Sequence, residues 1–272
     1  MISAAIITFN EENRIRDCLA SVHDWCDEIV VLDSHSTDRT REICASFPRV
    51  VFAEHDFDGH IQQKNRAIDL TKGDWILSID ADERVTPELA ASIQKFVLEN
   101  PNADGARIPR LTVHLGRPIR HGGWYIARYR LIRRGRGAWG GENPHDLILL
   151  KDRPPWKQNL GPVLKGNLIH YSFTDLSDQI NTINRFSSIV AFTRAGHGRK
   201  FSILKLIYKA PLKFFEQYIM KLGFLDGVPG FIVAASGAFS TFLKWAKMYE
   251  LEKTGLERPS NLRKDYQVQK KK

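Results

Sequence analysis

Cysteine is scarce in this chain. Only Cys18, Cys26 and Cys44 occur in 272 residues, an odd count with no C-x-x-C pair. That excludes a disulfide framework and points to a reducing compartment. Glycine-rich nucleotide loops are missing too. No G-x-G-x-x-G follows the first strand-like run, and no G-x-x-x-x-G-K-[ST] occurs anywhere, which counts against a dinucleotide fold and a P-loop. The start carries no signal-peptide pattern: Met1-Ile2-Ser3 enters a strand-like run directly, and Asn10-Glu11-Glu12-Asn13 ends any apolar core. Long apolar runs are also lacking. The longest uncharged stretch, residues 227–243, is seventeen residues long and is broken by Pro229 and several glycines. It sits at the lower edge of spanning length and reads as buried or interfacial.

What is present is an ordinary globular composition, 43% hydrophobic and 26% charged, which rules out wholesale disorder. Charge is distributed unevenly. Residues 1–104 hold 10 Lys and Arg against 20 Asp and Glu, residues 105–199 hold 16 against 5, and residues 200–272 hold 14 against 6. A nucleic-acid-binding coat would not be built this way, so no nucleic acid is expected as a partner. An acidic metal site beside a basic anion-binding surface would be.

The first hundred residues alternate short apolar runs with amphipathic segments. Strands are expected at 2–7, 28–33, 50–53 and 74–80, and helices at 11–22, about 38–47, 60–70 and 87–99. This order predicts a parallel, doubly wound sheet whose strand ends converge on one cleft. Past residue 104, short runs at 105–109, 128–133, 147–150 and 167–170 stand between Gly-, Pro- and Trp-rich loops and suggest antiparallel strands. Helices follow at 176–195, 203–222 and about 230–250.

Asp80-Ala81-Asp82 ends the strand Trp-Ile-Leu-Ser-Ile, so two carboxylates emerge from a buried scaffold. Hard oxygen donors at such a place suit Mg²⁺ or Mn²⁺ bridging to phosphate oxygens. Thr8-Phe9-Asn10-Glu11 follows the first strand, and Asp33-Ser34-His35-Ser36-Thr37-Asp38 follows the second. An Asp after a second strand suits hydrogen bonding to a base or a ribose hydroxyl; Thr37 or Asp38 is also a helix cap.

The order T-F-N-E, V-V-L-D-S-x-S-T-D, Q-K-N-R-A and W-I-L-S-I-D-A-D-E-R resembles the family 2 glycosyltransferases of GT-A fold, and within them the bacterial lipopolysaccharide-core β-glucosyltransferases (the WaaE/KdtX-like group). The resemblance implies an α/β fold, Rossmann-like, with a mostly parallel central sheet and flanking helices, plus a C-terminal helical membrane-associating extension. Residues 1–104 would form the nucleotide-sugar-binding half of that domain and 105–174 the acceptor-binding half. Residues 175–255 would form the membrane-associating helical region and 256–272 a basic tail. The implied reaction moves a sugar from a nucleotide diphosphate sugar, usually UDP-linked, with inversion. Thr8, Asn10, Glu11, Asp33, Lys64, Asn65, Asp80, Ala81 and Asp82 would bind the donor. Asp82 would ligate Mn²⁺ or Mg²⁺ directly, and Asp80 would contact the ribose or a metal-bound water.

An inverting transfer needs a general base for the acceptor hydroxyl. Asp146 and Glu142 are the candidates, and His145-Asp146 matches the His-Glu dipeptide of the resembled branch with one methylene less reach. His145 and His170 are candidate phosphate or metal ligands. Trp124 and Tyr125, with Trp139, are candidate sugar-stacking residues. Arg128 and Arg130 share one strand face and suit forked binding to a diphosphate or anionic acceptor. On a helical projection of residues 203–222, Lys205, Lys209, Lys213 and Lys221 fall on one side and the apolar residues on the other, as on a helix lying on an anionic membrane. The expected acceptor is a lipopolysaccharide-core or other lipid-linked saccharide. The expected place is cytoplasmic, peripheral on the inner face of the cytoplasmic membrane. A polyprenyl-phosphate sugar transferase of the same fold is the nearest alternative. A D-x-D phosphohydrolase, or a non-enzymatic basic membrane-binding module, is more remote; the phosphohydrolase would carry D-x-D after its first strand, not its fourth.

Overall fold

The computed structural model describes residues 1–142 and 145–256. The basic tail expected at 256–272 lies outside them apart from its first residue. The described residues divide into two compact units, Met1–Arg110 with Ile126–His170, and Leu111–Tyr125 with the described residues from Tyr171 on.

The first unit is built on a sheet with neighbours in the order β3-β2-β1-β4-β8-β6-β11-β5. Its strands are β1 (Ile2–Thr8), β2 (Glu28–Asp33), β3 (Val50–Glu54), β4 (Trp75–Asp80), β5 (Glu83–Val85), β6 (Gly105–His114), β8 (Ile126–Arg133) and β11 (Leu168–His170). The first four are parallel: β2 pairs β3, and β1 pairs β2 and β4. β8 adds antiparallel to β4, and β6 to β8. Runs such as Ile29 to Leu32 are buried throughout, as strands covered on both faces must be.

Alternation along the strands sorts residues into two cores. Ile2, Ala4 and Ile6 of β1 and Leu77 and Ile79 of β4 face α1 (Ile15–His23), α2 (Thr40–Ala45) and α4 (Pro87–Glu99). Ala5, Leu32 and Ile76 face the other side. There they meet α3 (His60–Leu70) and the antiparallel hairpin of β9 (Gly137–Glu142) and β10 (His145–Leu150), through Ile61, Trp139 and Ile148. This second layer brings α3 and β10 together over the end of β4. The three cysteines are buried and free.

Two expected helices start late. The backbone N–H groups of Glu11 and Glu12 donate to Thr40 Oγ1 at 2.9 Å and Asp38 Oδ2 at 3.0 Å; residues 12–14 form a turn, and α1 begins at Ile15. Asp38 also accepts from Thr40 N, and α2 begins only there.

In the second unit the outer end of β6 pairs with β7 (Arg117–Ile119). Three helices follow, α5 (Leu176–Gly196), α6 (Ile203–Phe215) and α7 (Gly227–Thr254), with Ala191, Trp245 and Met248 buried between them. The single helix expected at 203–222 is interrupted. It widens into a π turn over Glu216–Met220, where Gln217 turns inward to reach the Gly122 carbonyl, and it closes with Leu222 in the left-handed region. The segment Gly223–Thr254 is long and apolar enough to cross a membrane by length and composition.

Ile6 is fully buried and Leu98 is 82% exposed. Ile6→Ala should therefore cost about 2–5 kcal/mol, and Leu98→Ala less than about 0.5 kcal/mol. Urea unfolding followed by circular dichroism measures both, and equal costs would contradict this assignment of the core.

Candidate functional site

The strand ends place the expected donor-side residues in two linked loops. Asn10 lies in the left-handed region at φ 54, which Asn tolerates better than most side chains. In that conformation its Oδ1 accepts from Thr37 N at 2.8 Å, and its own N–H donates to Ser36 Oγ at 2.8 Å. Buried Asp33 accepts from Ser36 N at 2.6 Å. The loops after β1 and β2 are thus cross-braced. Buried Thr8 at the end of β1 has an Oγ1 with no hydrogen-bond partner among the described residues.

Glu11 stands apart electrostatically. Partial burial raises its carboxyl from 4.5 to about 7, and the nearby Asp82 charge adds to the rise, while Arg14 opposes it.

The end of β4 carries the densest chemistry. Lys64 of α3 is buried, and its Nζ lies 3.0 Å from Asp80 Oδ1 and 2.8 Å from Asp146 Oδ2. Burial lowers an ammonium's proton affinity, but the two carboxylates prevail and raise it. Burial likewise works against both aspartates, and Lys64 holds each below the usual range, Asp80 with help from Arg130 and Arg110. Lys64 Nζ also lies 4.1 Å from the centre of the Trp139 ring, a cation–π contact. The neighbouring Asn65 locks this arrangement by donating to Trp139 O at 2.9 Å and accepting from Trp139 N at 2.8 Å. It completes the β9 backbone as another strand would.

Behind Asp80 lies fully buried Glu83. Its Oε2 accepts from Asp80 N at 2.9 Å, and its Oε1 is 3.0 Å from Arg130 and 2.8 Å from Arg110 Nε. Arg130 is also 3.4 Å from Asp80 Oδ2 and stacks on Trp139 at 4.9 Å. Burial opposes the guanidinium charge and the carboxylates raise its proton affinity above the ordinary value.

Asp82 pairs with His170 of β11, Oδ2 to Nε2 at 3.1 Å. Burial would raise its carboxyl, and His170 and Arg110 bring it below the usual range. The same His170 nitrogen is 2.5 Å from Arg110, so it cannot accept from Arg110 and donate to Asp82 at once. The other oxygen, Asp82 Oδ1, is buried with no hydrogen-bond partner among the described residues. An orphaned carboxylate oxygen is costly unless something binds it, and a divalent cation fits that donor. No group of three His, Cys, Asp or Glu that could hold a metal forms among the described residues, so further ligands would have to come from a bound molecule.

The structure thus brings Lys64, Asn65, Asp80, Asp82, Arg130, Asp146 and His170 into one cluster. Ala81 sits buried in the turn between the two aspartates. Arg128 and Arg130 meet different surroundings: Arg128 is exposed and reaches Asn159, whereas Arg130 is spent on buried carboxylates. Trp124 and Tyr125 belong to the second unit, where Trp124 packs against His114 and Phe173. The side chains of Glu142 and His145 lie outside the described residues. Two cluster members escaped sequence reading. Glu83 directly follows the D-x-D motif, and its place beside two aspartates was the available signal. Arg110, within an ordinary strand, gave none.

Comparison with known proteins places this geometry. Residues 3–149 match glycosyl transferase family 2. The chain is 30% identical over 261 residues, 92% of each chain, to the lipopolysaccharide core biosynthesis glycosyltransferase LpsC of Rhizobium meliloti. It is 30% identical over 266 residues, 92% of this chain and 87% of the other, to an uncharacterized glycosyltransferase of Rickettsia typhi. Among solved structures, S. aureus TarS 1–349 in complex with UDP-GlcNAc aligns over 93% of this chain and 92% of its own with 15% identity and a TM-score of 0.47.

Glu11 generates a test. Its folded form holds the proton more tightly than the unfolded one, so its contribution favours folding below pH 4.5 and is lost as pH rises through about 7. Carboxyl ¹³C NMR should show Glu11 titrating near pH 7, and Asp82→Asn should lower that midpoint. A midpoint at about 4.3, the ordinary Glu value, would contradict the described environment.

Proposed function

The chain belongs to glycosyl transferase family 2 and is a glycosyltransferase, and we propose that it moves a hexose from a UDP-hexose, with inversion, to a lipopolysaccharide-core or other lipid-linked saccharide. The observation that carries this reading is the junction of Asp80 and Asp146 on one buried ammonium, with Asp82 Oδ1 left without a hydrogen-bond partner among the described residues. The lipopolysaccharide-core role of the R. meliloti relative supports the acceptor class.

The donor's nucleoside is read by the braced loops, with Thr8, Asn10, Glu11 and Asp33 around it and Lys64 near the base, ribose or diphosphate; Asn65, expected beside Lys64 on the donor, is instead spent on the Trp139 backbone. Asp82 would hold Mn²⁺ or Mg²⁺, with Asp80 toward the ribose or a metal-bound water, and the cation would supply positive charge to the departing diphosphate. Asp146, kept ionised by Lys64, accepts the proton of the acceptor hydroxyl. That oxygen forms its bond to the anomeric carbon as the bond from that carbon to the phosphate oxygen breaks, and the electron pair leaves with the nucleotide. Ionisation below the usual carboxylate range makes Asp146 available as a base throughout the neutral pH range. Glu142 is the alternative base. His145 and Arg128 stand nearby in sequence as acceptor-side residues, and Trp124 and Tyr125 would offer sugar-stacking rings.

We place the enzyme on the inner face of the cytoplasmic membrane, bound peripherally. Ile203, Leu204, Ile207 and Leu212 of α6 and Val228 of α7 are exposed apolar residues, on helices that also carry Lys205, Lys209 and Lys213. Basic residues on one side of a helix and exposed apolar residues on the other suit a helix lying on an anionic membrane.

Two variants test the chemistry. Asp146→Asn should retain the thermal shift given by UDP-hexose and lose transfer by about 10²–10⁴-fold; retained transfer would move the base to Glu142. Asp82→Ala should lose the Mn²⁺-dependent part of the thermal shift. A wild-type protein that no UDP-, GDP- or TDP-sugar stabilises, with or without Mn²⁺, would overturn the proposal.

A further inference from the structure

The second unit holds a cavity of about 740 Å³ that the transfer reaction does not use. Six cations line it: Arg194, Arg199, Lys200, Lys205, Lys209 and Lys244. No carboxylate lines it, and none of the six forms an ion pair among the described residues. Such crowding of like charge is unfavourable unless an anion relieves it.

The walls give the site a shape. Trp245 is buried at its side, with Arg194 Cζ 5.4 Å and Lys205 Nζ 5.2 Å from the indole centre. These contacts hold two of the cations in place. The N-terminus of α6 opens on the same cavity, where Ser202 caps the helix by accepting from Lys205 N, so its dipole adds to the positive field. Burial, with Arg194 and Lys213 close by, pushes the Lys244 ammonium down, and burial with Arg199 does the same to Arg194. These charges are partly desolvated and uncompensated. On the same helix, Ile203, Leu204 and Ile207 are exposed, Leu204 at 70%.

We infer that this cavity is a phosphate-binding site, and that it takes the phosphate of a lipid headgroup. The guanidinium forks and ammonium groups match a multiply charged tetrahedral anion, and the exposed apolar residues that α6 carries on its other side match acyl chains. The inference rests on the peripheral membrane placement proposed above and names the chemistry that placement depends on. It assigns no role in transfer to these residues.

The test uses the full chain and co-sedimentation with vesicles. Phosphatidylcholine vesicles are doped with phosphatidic acid, or with a fatty acid at matched surface charge, and inorganic phosphate serves as a soluble competitor. Wild type should prefer the phosphatidic acid vesicles, and inorganic phosphate should weaken that binding. Arg194→Gln/Lys244→Gln should weaken it about tenfold or more. Lys205→Gln/Lys209→Gln alters one helix only and should do the same, which keeps the test open if the first pair fails to fold. Lys151→Gln/Lys157→Gln, an equal loss of charge in the first unit, should change it less than about twofold. All variants should keep the UDP-hexose thermal shift. Equal binding of the two anionic vesicles, or an equal loss in the control pair, would overturn the phosphate site. So would pocket variants that bind as wild type does; membrane association would then stand without the pocket. A wild type that binds no vesicle overturns the lipid headgroup and the membrane placement together, even if inorganic phosphate binds.

Discussion

One buried ammonium organises the first unit. Lys64 contributes its charge from α3 to Asp80 at the end of β4 and to Asp146 on β10. Lys64 holds both aspartates below the usual carboxylate range at that burial, Asp80 together with Arg130 and Arg110, where desolvation alone would favour the protonated form. Removing one member of such a buried network strands the others, which is why its members are costly to change. Lys64 is held in turn by the Trp139 ring and by the reciprocal bonds of Asn65 to β9. The fold places α3 and the β9–β10 hairpin on the same face of the sheet, and this is what lets residues 64 and 146 meet.

The uneven charge of the chain takes on meaning in this setting. In the acidic first third, Asp80, Asp82 and Glu83 gather in one place, while Asp33 and Glu11 border the loops above β1 and β2. Their cationic partners come partly from the basic middle segment, as Arg110 and Arg130. Those two arginines serve as counter-ions within the first unit, so the excess of arginine after residue 104 is not wholly a surface for anions. The basic character of the last segment is of another kind. Around the cavity of the second unit the cations face one another without carboxylates.

Much of this was legible in the sequence, for definite reasons. The parallel strands were found because strands buried on both faces read as continuous apolar runs, and α3 ran over the expected 60–70 because its periodicity is unbroken. Asp80, Asp82 and Lys64 were found because they sit in ordered motifs. Other features depend on contacts that sequence does not encode locally. The turn before α1 is tied by long-range contacts, Thr40 and Asp38 side chains accepting from Glu11 N and Glu12 N. The π turn in the helix expected at 203–222 follows from Gln217 turning inward. Arg110 joins the cluster because β6 lies next to β11 and sets it against Glu83 and His170. Arg128 and Arg130, two residues apart on one strand, differ because only Arg130 reaches the buried Glu83.

The central claim is that Lys64 joins the donor side of the site to its catalytic base. Steady-state kinetics of Lys64→Met, with donor concentration varied, tests it most directly. The account predicts a raised donor KM, through the loss of order at Asp80, together with a lowered kcat, through the release of Asp146. Wild-type values of both parameters in a folded Lys64→Met protein would contradict it.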